Sequence, residues 1–123
     1  MGGNNPSPYI ANVEEYDGSS WTNATALPTA NKLASAAGTQ TDAIFFAGNV
    51  PPNSVVGTTL GYDGTNWSTR PAMGTARQAG AGAGTSTAAL MMSGANGSGT
   101  AVTTVEEFTG ETSTANIETF TTS

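Results

Sequence analysis

Residues 13–21 read VEEYDGSSW, residues 59–67 read TLGYDGTNW, and residues 105–110 read VEEFTG. The aromatic side chains Tyr16, Tyr62 and Phe108 therefore recur at a constant interval of 46 positions. Shifting the chain by that interval places Asp17 on Asp63, Gly18 on Gly64, Trp21 on Trp67, Gly38 on Gly84 and Gly48 on Gly94 without a gap. Between residues 13–58 and 59–104, 15 positions are identical. A period in the forties marks tandem units, each too small to bury its apolar face alone, which stack on their neighbours.

The units are built of strands. Gly, Thr and Asn are frequent throughout, and no stretch of about a dozen residues carries a 3.6-residue apolar period. DAIFFAG and AALMMSG are short apolar runs bounded by turn residues, the pattern of a strand buried on both faces. SVVGTTLGY and AVTTVEEF are rich in β-branched residues. Asp17-Gly18 and Asp63-Gly64 stand where hairpins need residues that tolerate positive φ. Each full unit reads as four strands: LASAAG or AGAGAG, then DAIFFAG or AALMMSG, then the β-branched run, then a strand opening at the Trp. The first strand holds only small residues, as expected where sheets arranged about an axis crowd together at the centre. The outer strands carry Tyr and Trp, which fill a widening wedge. The fold class expected is all-β, with β-propeller blades, each a four-stranded antiparallel sheet.

Composition removes several kinds of chemistry. The chain of 123 residues has no Cys and no His, so thiolate and imidazole catalysis and zinc ligation through these residues are excluded. Lys32, Arg70 and Arg77 are the only basic residues, against nine acids, for a net charge of -6. A nucleic-acid partner is not expected without clustered cations. No apolar run approaches the ~20 residues of a membrane span, and MGGNNPSPYI reads neither as a signal peptide nor as a myristoylation signal. No cofactor or metal is expected. Thr, Ala, Gly, Ser and Asn supply 77 of the 123 residues, a composition also found in disordered chains; the low charge and periodic large apolar residues argue for a packed fold.

The ordered set Gly94 then Phe108, and Tyr62, Trp67, Pro71, Met73 and Arg77, resembles the kelch-type β-propeller repeat. The other copy supplies Gly48, Tyr16, Trp21, Leu27 and Pro28. Asn31 stands at the position of Arg77, and the usual Gly-Gly pair survives only as Gly2-Gly3. The compact phrase GTQTDAIFFAGN is similar to kelch-like arrays in structural proteins of marine tailed phages. That resemblance implies a virion-associated or extracellular setting.

The expected organisation is a partial blade over 1–30 with third and fourth strands only, a full blade over 31–76, and a second blade over 77–123 with an atypical last strand. About two and a half blades fall short of the roughly four to eight that close a propeller. Open sheet faces and edges favour association. A ring completed between identical chains is therefore expected, three copies being preferred narrowly over two. The competing expectation is a purely structural, engineered or truncated fragment of a longer array.

Bland explanations cover most of the conspicuous side chains. Glu14-Glu15 and Glu106-Glu107 are adjacent strand residues, which point to opposite faces and do not converge as a catalytic pair. Asp17 and Asp63 are explained by turn hydrogen bonds, without calcium. Tyr16, Trp21, Tyr62, Trp67 and Phe108 read as wedge-filling side chains, and Arg77 as an anchor at a blade junction. A glycan-hydrolysing enzyme is the least favoured function. The better candidates are loops that vary on a constant frame: GNNPSPY, GNVPPNSV and GANGSGTA. Asn49, Asn53, Asn96 and Arg70 are the side chains expected to bind a glycan or a protein surface.

Overall fold

The computed structural model describes residues 9–110, which form antiparallel sheets and no helix. The central sheet is a four-stranded meander of β3 (Ser35–Thr39), β4 (Asp42–Phe46), β7 (Thr59–Tyr62) and β8 (Trp67–Arg70), in that order. Before it comes a pair, β1 (Glu14–Tyr16) with β2 (Trp21–Asn23). After it comes a sheet of β9 (Ala81–Gly84), β10 (Ala88–Met92) and β11 (Val105–Thr109), with β10 in the middle. The last strand expected of the 77–123 unit, and its aromatic Phe120, lie outside the described residues.

The central sheet is packed on both sides. Successive strand residues point to opposite faces, and β4 uses that alternation to feed two cores. Ile44 and Phe46 join Ala89 and Met91 of β10 on one side. Phe45 joins Val13 and Leu27, from the segment carrying β1 and β2, on the other. The apolar run of β4 is therefore buried almost throughout. The equivalent expectation for AALMMSG holds on one face only: Ala89 and Met91 are buried, while Leu90 is exposed. No sheet among the described residues covers the outer face of β10.

Small residues on β3 and β9 follow from their close approach. A Cβ built on Gly82 would lie 2.6 Å from the Phe46 ring and 3.1 Å from Ser35. Ser35 Oγ donates to the Gly80 carbonyl at 2.7 Å, tying the two strands' neighbourhoods together. Gly38 and Gly84 begin the tight turns after β3 and β9 with φ of 112° and 120°, and a Cβ at either would strike the carbonyl of Asp42 or Ala88.

The run SVVGTTLGY does not form one strand. Its start folds back as β6 (Ser54–Val55) on β5 (Asn49–Val50), and the ladder of the central sheet begins only at Thr59. Between them the backbone turns to other partners. Val56 N–H donates to the Gly48 carbonyl at 3.0 Å, and the Gly57 carbonyl accepts from Met73 N–H at 2.8 Å. AVTTVEEF behaves alike, with Val102 N–H donating to Gly94 before β11 opens at Val105.

Candidate functional site

The loop expected to bind ligand is a hydrogen-bonded knot around Asn49. Asn49 is buried, and its Nδ2 donates to Asn53 Oδ1 at 2.9 Å and to Gln78 Oε1 at 2.8 Å. Its Oδ1 lies 3.2 Å from the Tyr9 hydroxyl, whose single proton is shared between it and the Pro52 carbonyl at 2.9 Å. Its backbone N–H and carbonyl pair with Lys32, and the N–H also meets Asn31 Oδ1. Every polar group of Asn49 is thus engaged inside the protein, so its role is to shape the loop. Asn53 and Gln78 spend their carbonyl oxygens on it, which leaves their amide N–H groups outside the knot. Lys32 Nζ sits 4.5 Å from the Tyr9 ring centre, a cation–π contact.

The structure brings Asn53 to this knot and separates the others. Asn96 closes its own turn, its Oδ1 accepting from the backbone N–H of Ser98 at 2.9 Å and Thr100 at 3.0 Å. The adjoining Gly97 approaches Val55, so the two variable loops are neighbours. Arg70 is elsewhere. Its guanidinium lies over Gly61, where a side chain would collide with it, and lines a cavity of about 270 Å³ with Asp42, Thr87 and Gly110. Tyr9, Lys32 and Gln78, which complete the knot, were not singled out by sequence; they come from three separate segments, and no local pattern joins them.

The aromatic and basic positions are placed by packing. Trp67 Nε1 donates to the Thr25 carbonyl at 2.9 Å, and its ring lies 4.6 Å from that of Tyr62. Tyr16 and Trp21 repeat this pairing at 5.1 Å but are exposed. Phe108 packs against the core of Ile44, Phe46 and Met91. Gly48 and Gly94 adopt φ of 100° and 99° beside Asn31 and Gly80. Arg77 is fully buried; it donates to the carbonyls of Ser93 and Thr104, to Thr104 Oγ1, and to Glu106 Oε2 at 2.7 Å. Asn31, with a shorter side chain, makes the bond that corresponds to Arg77–Ser93, from Nδ2 to the Ala47 carbonyl at 3.2 Å.

The adjacent acids diverge. Glu106 turns to Arg77 and to the N–H groups of Gly74 and Thr75, at 2.7 and 3.0 Å, while Glu107 is exposed. Glu15 accepts from the Tyr62 hydroxyl at 3.1 Å. Among the described residues no three acids gather into a group able to hold a metal ion, and no helix is long and apolar enough to cross a membrane. A cavity of about 380 Å³ lies beside Glu15, Ala36, Thr39 and Tyr62, next to β1.

These contacts set the pH dependence. Backbone N–H groups of Ser20 and Ser19 hold Asp17 below its ordinary 3.8, and those of Asn66 and Thr65 do the same for Asp63. Burial pushes Glu106 up, but Gly74, Thr75 and Arg77 together outweigh it and leave the carboxyl below 4.5. Burial, then the bond to and charge of Glu15, raise Tyr62 above its ordinary 10.0. Depressed carboxyls stabilise the fold above their ordinary values, and this is lost as pH falls through the depressed ones. A raised phenol stabilises below 10.0 and is lost as pH climbs beyond it. The thermal midpoint should therefore be flat near neutrality, fall below about pH 4 and fall again above about pH 10. Calorimetry from pH 3 to 11 measures this, and constant stability down to pH 3 would contradict it.

No protein-family model matches the chain, and comparison with curated proteins finds no match.

Proposed function

We propose that this chain is a non-enzymatic, self-assembling β-propeller module. It closes a ring with identical copies and presents the end around Asn53, Gln78 and Asn96 to a glycan or a protein surface. The observation that carries this reading is the contrast between the central sheet, covered on both sides, and its two flanking sheets, each with a face that bears exposed large apolar residues and that no other described sheet covers. Such faces favour association. The kelch-like order of Tyr62, Trp67, Pro71, Met73 and Arg77 adds the propeller to this, and the likeness to tailed-phage arrays adds a virion-borne setting. Recognition falls to the amide N–H groups of Asn53 and Gln78, which have no partner among the described residues, because Asn49 is consumed by the scaffold.

Native mass spectrometry tests the assembly. One closed species is expected: three copies on a count of complete repeats, two on a count of the sheets that each chain stacks. A monomer at every concentration removes the reading. A glycan array, followed by Asn53→Ala, tests the loop end. Loss of binding with an unchanged mass is expected, and binding untouched by the substitution moves recognition elsewhere.

A further inference from the structure

The stack of sheets has two unlike outer faces, and the chain's own junctions show what each is shaped to meet. On one face Leu90 is 38% and Val105 56% exposed, beside Met92 and Glu107. The residues 46 positions earlier, Ile44, Phe46 and Thr59, are 1%, 2% and 1% exposed because the sheet of β9–β11 lies over them. On the other face Tyr16 is 43% and Trp21 64% exposed. Their counterparts Tyr62 and Trp67 are covered by the segment that carries β1 and β2. Each open face thus has a covered copy of itself inside the chain.

One polar pair sharpens the match. Across the first junction the Tyr62 hydroxyl donates to Glu15. Across the second, the aromatic is Phe108, without a hydroxyl, and the position corresponding to Glu15 is Gly61, with the Arg70 guanidinium over it. Hydroxyl and acid are present together or missing together. Tyr16 keeps a hydroxyl on the open first face, and the remaining acid of the series, Glu107, stands opposite Leu90 on the open last face.

We infer that the Tyr16–Trp21 face of one copy docks on the Leu90, Met92 and Val105 face of a second copy, head to tail, with Tyr16 donating a hydrogen bond to the second copy's Glu107. This rests on the self-assembly reading and specifies its contact. A head-to-tail contact either closes a ring or runs on as a filament. Each chain stacks three sheets about the axis, so two copies supply about six positions, within the roughly four to eight that close a propeller. Three copies would supply about nine, beyond that range.

The test uses the full chain carrying Leu90→Glu or Trp21→Glu, both at exposed positions, with far-ultraviolet circular dichroism confirming the fold. Either variant alone spoils both junctions of a two-copy ring and should be monomeric by native mass. Mixed in equal amounts they retain one intact junction and should form an open one-to-one pair. Within that pair, Tyr16→Phe on the Leu90→Glu copy should weaken affinity about tenfold, the effect of losing one hydrogen bond to a charged group. Adding Glu107→Ala to the other copy should then cost little more. If the variants keep the wild-type mass, the chain assembles through another surface and the head-to-tail contact falls while self-assembly stands. If Tyr16→Phe and Glu107→Ala act additively, the faces meet without this bond and the pairing is overturned. A wild-type chain that is monomeric throughout overturns both.

Discussion

Phe46→Ala should destabilise the protein by about 3–5 kcal/mol, the range for removing a buried aromatic ring. Phe46 is 2% exposed and stands between the central sheet and the sheet of β9–β11. Its ring fills the space left by Gly82, which has no side chain to follow it into the void. Partial collapse is hindered because Ser35 holds the Gly80 carbonyl and β3 already lies close to β9. Domains of this size are stable by only ~5–15 kcal/mol, so the single truncation removes a large share of the margin. Urea unfolding should show a lower midpoint with an unchanged slope. A loss under about 1 kcal/mol would mean that the two sheets close over the gap.

Glu106→Ala should cost about 3 kcal/mol. The substitution leaves Arg77 fully buried with its charge uncompensated, its Nε already without a hydrogen-bond partner. The remaining bonds to Ser93 and Thr104 satisfy geometry but supply no negative charge. Removing both charges is a different experiment. Arg77→Met with Glu106→Leu should recover most of the loss, since an apolar pair of similar volume avoids desolvating two ions. If the double variant is no more stable than Glu106→Ala, the ion pair is not the origin of the effect. The comparison is read from unfolding midpoints of the wild type, Glu106→Ala and the double variant.

Much of the architecture was legible because it depends on short stretches. The turns at Asp17-Gly18 and Asp63-Gly64 announce themselves, since carboxyl, glycine and the N–H groups they satisfy lie within three residues. The small residues of β3 and β9 and the apolar core of β4 were equally plain. The break at Gly57 was not. Val55 and Val56 have strand propensity, but their backbone partners Asn49, Gly48 and Arg77 come from outside the run. The candidate site was less readable. Asn49 and Asn53 could be named from the sequence as loop residues, yet Asn49 is saturated inside the protein, Arg70 reaches Gly61 instead of the loop, and Tyr9, Lys32 and Gln78 are gathered only by folding.

By itself the amino-acid sequence determined that the chain is all-β, where its hairpins turn, and which positions along each strand are apolar. These follow from side-chain alternation, from residues that tolerate positive φ, and from the size of side chains admitted at crowded strands. Only the tertiary structure decided which apolar positions are covered. Ile44 and Leu90 carry the same kind of side chain at corresponding strand positions, yet one is buried and the other exposed. Burial belongs to the sheet that lies opposite, and a strand's own sequence holds no record of whether that neighbour is present.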